Sequence, residues 1–213
     1  MKINRGWFTI IELLVAILIF TIWWLSAYLL VYSAISSSIK SRNEIVAANL
    51  ARQNIEIISN LRDTNWLRNL TWNRFDPSIV SFDASSWEYL TWWYYKVENI
   101  YVSDSSWNPS VKLTKLPNDF DPNPTKVIHP ANSSYDTQLC LDSKNRYTYD
   151  CSASNTKTIF YSFLQVEPLK TKNSWWDQVD VNGAMLLKSI VINTWKWINT
   201  HSINTIITDW RKN

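Results

Sequence analysis

The sequence predicts an α+β protein. One long N-terminal helix, transmembrane in its first half and amphipathic in its second, packs against an antiparallel β-sheet head. Three observations carry that reading. Residues Phe8–Val31 are almost unbroken apolar sequence, with Glu12 as the one charged side chain. A helical apolar period continues beyond them, with no proline before Pro77. After residue 70 the texture changes to runs of Val, Ile, Tyr, Phe and Thr separated by turn residues.

The apolar run sets the first element. Roughly two dozen helical residues at ~1.5 Å each cover about 36 Å, enough to cross a ~30 Å hydrocarbon layer. A carboxylate near one end of such a span is costly in lipid, which makes Glu12 a candidate functional residue. Lys2 and Arg5 precede the span and favour a cytoplasmic N-terminus by the positive-inside rule. The leader is too short for an ordinary secretory signal with a downstream cleavage site.

Past the span, Ile39, Val46, Leu50, Ile57 and Leu61 keep one helical face apolar, while Lys40, Arg42, Asn49, Arg52 and Glu56 occupy the other. This predicts one helix from about Phe8 to Asp63, or two helices meeting at Ser36-Ser37-Ser38. The division read from the chain is 1–7 leader, 8–35 membrane helix, 36–65 amphipathic extension and 66–213 β-rich head.

Six strands are expected in the head: Ser78–Phe82, Tyr94–Val102, Val111–Leu116, Thr158–Glu167, Ala184–Asn193 and Ser202–Asp209. The last two form a hairpin across NTWKWINTH. A helix followed by strands without regular alternation suggests an α+β arrangement. Leu116–Pro130 contains four prolines and reads as an exposed irregular loop. Cys140 and Cys151 enclose a hairpin-like LDSKNRYTYD. In an exported domain such a pair favours a disulfide; in a reducing compartment it would be two free thiols.

With 213 residues and a formal net charge of +3, the chain suits one membrane segment and one soluble domain. Beyond Lys2 and Arg5 it is close to neutral, which gives no support to DNA as a partner. His129 and His201 lack companions at metal-ligand spacing, and no nucleophile elbow or phosphate loop occurs. Asp104–Asn108 and Asp119–Asn123 space oxygen ligands closely, but neither completes a calcium loop. No catalytic residue, metal or cofactor is implied.

One part of the composition is anomalous. The chain has 14 Trp and 2 Gly, whereas Gly normally makes up ~7%, or about 15 residues here. Many tryptophans lie in turn-like stretches such as SSWEY, SSWNPS and NSWWDQ, where residues tolerating positive φ are expected. Some bacterial lineages read UGA as glycine, and translation with a table that reads it as Trp would produce this pattern. Reassigning 12 or 13 of the 14 Trp would raise Gly from 2 to 14 or 15. Trp66 and Trp210 follow hydrophobic patterns and have the best claim to be tryptophan. The alternative is a Trp-rich binding surface.

The block W-F-T-I-I-E-L-L-V-A-I-L-I-F, from Trp7 to Phe20, resembles the N-terminal signature of type IV pilins and type II secretion pseudopilins. The resemblance covers about 14 residues and implies a pilin-like fold. It also implies cleavage by a prepilin peptidase between Trp7 and Phe8, N-methylation of Phe8, and a role for Glu12 in setting register against a neighbouring subunit's amine. The family carries glycine where this chain has Trp7, and an indole there should block the peptidase; recoding restores the motif. The stretch AANLARQNIEIISNLRDTNWLR resembles the helix end of a minor-pilin-like subgroup, and the family resemblance also favours a disulfide-bounded loop at Cys140 and Cys151. The partners it implies are other pilin or pseudopilin subunits, the peptidase, a membrane assembly platform and the lipid bilayer. The competing expectation is a permanently membrane-anchored extracytoplasmic binding module, an adhesin or DNA receptor.

Overall fold

A computed structural model of the chain describes residues 9–74, 80–82, 89–100, 110–128, 136–172 and 178–209. They divide into two compact units, Met1–Asn43 and Glu44–Asn213.

Helix α1 runs from Ile10 to Leu67 as one element of 58 residues, without a break at Ser36-Ser37-Ser38. Glu12 and Leu13 donate their backbone N–H groups to the Thr9 carbonyl, which opens the helix. At the other end Asn69 takes φ 62°, the left-handed position that often terminates helices. The Leu70 N–H then closes on the Asn65 carbonyl at 2.9 Å.

The head is an eight-stranded sheet: β1 Val80–Phe82, β2 Tyr94–Ile100, β3 Ser110–Lys115, β4 Gln138–Leu141, β5 Tyr147–Thr148, β6 Thr156–Lys172, β7 Gln178–Asn193 and β8 Asn199–Thr208. β6 is its spine. One edge of β6 pairs antiparallel with β7, which pairs in turn with β8. The other edge carries β4 near Lys157–Tyr161 and β2 at Leu164–Gln165, with β3 beyond β2 and β5 beyond β4. All pairs are antiparallel except β1 with β3, which run parallel at the sheet margin. That pair departs from the all-antiparallel expectation. The expected β7–β8 hairpin is present, in register from Ala184↔Thr208 to Asn193↔Asn199.

The second part of α1 covers one sheet face. Its buried positions, Ala47, Leu50, Ala51, Asn54, Ile57, Ile58, Leu61 and Asn65, recur every three or four residues and form a single stripe. Leu50, Ala47 and Ala51 meet Leu139, Phe160 and Val191. Ile57, Ile58 and Leu61 meet Val97, Leu113, Leu164, Val166 and Leu187. Lys40, Arg42, Asn49, Arg52 and Glu56 are exposed, as the period requires.

The opposite face is closed by the segment expected to be an exposed loop, and this is a correction. Leu116, Phe120 and Val127 are buried against Phe163, Ile190 and Ile192. Pro124 opens a four-residue helix, α2 (Pro124–Val127), capped by the Asn123 side chain, which accepts from the Thr125 N–H. The prolines stiffen a cover that must be irregular to lay three apolar side chains on a twisted sheet.

Candidate functional site

Two features stand apart from ordinary packing: the apolar surface of α1 before residue 36, and the disulfide-stapled margin of the head. The first is built from sequence alone. Every described residue from Thr9 to Ile35 is exposed, and this part of α1 is long and apolar enough to cross a membrane. Glu12 lies in its first turn. Thr9 and Glu12 have the spacing of a capping box, in which an acidic third residue also favours the helix dipole. The Glu12 carboxylate is exposed, with no side-chain hydrogen bond or ion pair among the described residues. Trp7 and Phe8, the expected cleavage pair, lie outside the described residues, as do His129 and Asp104–Asn108.

The second feature centres on Cys140, fully buried on β4, which forms a disulfide with Cys151; their Cα atoms are 5.4 Å apart. The bond closes the β4–β5 hairpin. Asp142 organises its tip by accepting from the backbone N–H of Lys144 and of Arg146 and from the Arg146 side chain. Those bonds, the Arg146 contacts first, hold the Asp142 carboxyl below its ordinary value. Two side chains pin the hairpin to the sheet. Glu98 on β2 accepts from the Thr148 hydroxyl and the Tyr149 N–H. Tyr149 donates its phenol to the Ser162 carbonyl at 3.0 Å; desolvation pushes that phenol well above its usual range.

Between α1 and the sheet sits a polar contact that periodicity alone does not reveal. Asn54 donates both amide hydrogens, to Ser162 Oγ at 2.9 Å and to Ser189 Oγ at 3.1 Å, and all three residues are buried. Such a contact holds only one sliding position of the helix on β6 and β7. Ala47 and Ala51 on the same stripe let the helix approach closely. An asparagine at a core position of an otherwise apolar stripe was the available signal.

The oxygen-rich segment Asp119–Asn123 is committed to structure. Asp121 Oδ2 pairs with Lys126 Nζ at 2.7 Å, and Oδ1 accepts from the Asn123 N–H. The Lys126 contact, first among the causes, holds the Asp121 carboxyl low. No cluster of three or more metal-ligating side chains occurs among the described residues. An open groove lies where β7 bulges against β6, lined by Trp92, Glu167, Lys170, Gln178 and Asp180. Gly183 at φ 79° makes that bulge possible.

Trp87, Trp107, Trp175 and Trp176, the tryptophans of the turn-like stretches SSWEY, SSWNPS and NSWWDQ, lie outside the described residues; eight other tryptophans are described. None of the eight has a positive φ; the left-handed non-glycine positions are Asn69, Asn145 and Lys196. Turn geometry therefore does not demand glycine at those tryptophans. No family model matches the chain, and no curated protein or solved structure is significantly similar to it.

Proposed function

We propose that this chain is a subunit of a type IV pilus or type II secretion pseudopilus. The carrying observation is an apolar helical surface, exposed from Ile10 to Ile35 and bearing one carboxylate, joined to a head that closes its own core. In this reading the chain enters the membrane with its N-terminus cytoplasmic. A prepilin peptidase removes residues 1–7, Phe8 becomes the methylated first residue, and an assembly platform extracts the subunit into a helical fibre. Lateral packing of the apolar helices builds the fibre core, and the pilin-like heads face outward. The function is structural, and the chain's work is assembly rather than catalysis.

Glu12 is the register residue. Out of water, a carboxylate and the amine of a neighbouring Phe8 each relieve the other's desolvation cost, so only subunit positions that bring them together are favourable. A capping role for Glu12 competes with this, and one substitution separates them. Glutamine satisfies a capping box as well as glutamate does but carries no charge. Glu12→Gln should therefore insert into the membrane normally yet fail to enter filaments, as should Glu12→Ala. Wild-type filament incorporation of Glu12→Gln would remove the register role.

The second reading is a permanently anchored binding module. The groove beside Trp92 favours it, since an aromatic wall with nearby carboxylates and an amide suits polar ligands. An uncleaved leader on a chain that never enters filaments would select this reading.

A further inference from the structure

We infer that every tryptophan except Trp66, Trp72, Trp93 and Trp210 is glycine in the protein the cell makes, inserted at UGA codons. The starting point is what fills the head. Its apolar core consists of Leu, Ile, Val, Phe, Tyr and Ala together with Cys140, and no described tryptophan is buried in it. Trp is the largest apolar side chain and on average a highly buried one. Here Trp197 is 78% and Trp92 67% exposed, each projecting from a bend.

Position separates the described tryptophans into two groups. Trp195 and Trp197 flank Lys196, at φ 61°, in the five-residue connection between β7 and β8. Hairpin connections of three to five residues characteristically contain glycine somewhere, and this one, Thr194–Ile198, as written has none. Trp23 and Trp24 lie about 20 Å along the helix from Ile10, roughly two-thirds of the way across a ~30 Å layer and about 10 Å inside its far face. Membrane tryptophans concentrate at the two interfaces, whereas glycine is frequent within spans. Against these stand residues with something to lose. Trp93 donates its indole N–H to the Leu116 carbonyl at 2.7 Å and, with Trp72, packs on the core. Trp66 lies in the last turn of α1, where glycine would cost about 1 kcal/mol relative to alanine.

The partition also repairs the composition, moving Gly from 2 to 12 and Trp from 14 to 4, close to ordinary usage. Sequence context extends it to Trp7, Trp87, Trp107, Trp175 and Trp176. At position 92 it removes the aromatic wall of the groove beside β7, weakening the binding-module reading. The inference rests on composition, exposure and loop position, so it stands whether or not the chain is a pilus subunit.

The test is peptide mass mapping of the chain isolated from its own cells, read beside the gene. Glycine masses and UGA codons at positions 92, 195 and 197, with tryptophan masses and UGG codons at 66 and 93, are expected. A tryptophan mass or a UGG codon at 92, 195 or 197 overturns the inference. Glycine at 93 overturns the partition, because the indole bonded to Leu116 would not exist. The N-terminal peptide in the same map reports separately on cleavage before Phe8, so the two readings fail independently.

Discussion

The same residue types lead opposite lives in the two units of this chain. In the first, the large apolar side chains from Ile10 to Ile35 are between 51% and 81% exposed. In the second, Leu113, Phe163, Leu164, Leu187 and Val191 are fully buried. Burying one such side chain contributes roughly 1.5–3 kcal/mol. The head collects that stabilisation internally, between α1, the sheet and the Leu116–Val127 cover. The first unit collects none of it among the described residues, which leaves an apolar surface long enough to be covered by a membrane. One continuous helix thus joins a finished fold to an unfinished surface.

Matched substitutions sharpen the contrast. Leu164→Ala should destabilise the head by about 2–5 kcal/mol through lost transfer energy and a cavity, measured by denaturant unfolding of the detergent-solubilised chain. Leu18→Ala, the same change in the first unit, should leave that transition where it was. A comparable loss from Leu18→Ala would mean that the first unit supports the head. Next in size is the staple: replacing both Cys140 and Cys151 by Ser should cost about 2–4 kcal/mol by the loop-closure argument, read as a lowered unfolding midpoint.

Asn54→Ala should cost about 1–3 kcal/mol, because it leaves the Ser162 and Ser189 hydroxyls buried without their donor. Restoring apolar partners at all three positions should recover most of it. The smallest effect is electrostatic. Asp121 and Asp142 have folded pKa values below the ordinary range. Their contribution is therefore present above the unfolded pKa and is lost as pH falls through the depressed folded value. Both lie at the surface, partly exposed and outside the sheet core, so acidification below the ordinary Asp range should loosen the α2 cap and the β4–β5 tip while the sheet core stays intact. Amide exchange would locate that loosening.

How far the sequence could be read follows the same division. The helix and six strands were legible because long apolar runs and β-branched alternation are local signals. The cover at Leu116–Val127 was not, because prolines mark irregular backbone without saying whether side chains such as Phe120 point inward. The parallel β1–β3 pair was equally hidden, since pairing partners distant in sequence leave no local period. The Asn54 contact depends on Ser162 and Ser189 arriving from two strands, which no single stretch encodes. At the N-terminus the position is reversed. The Phe8–Glu12 block is informative as sequence, while the register role proposed for it would be played between subunits and outside any one chain.

The most direct test of the assembly account is the N-terminal peptide of this chain recovered from sheared, purified surface filaments. The account predicts a chain present in the filaments and beginning at N-methylated Phe8. A chain that keeps Met1–Trp7, stays in the membrane fraction and is absent from filaments would contradict it.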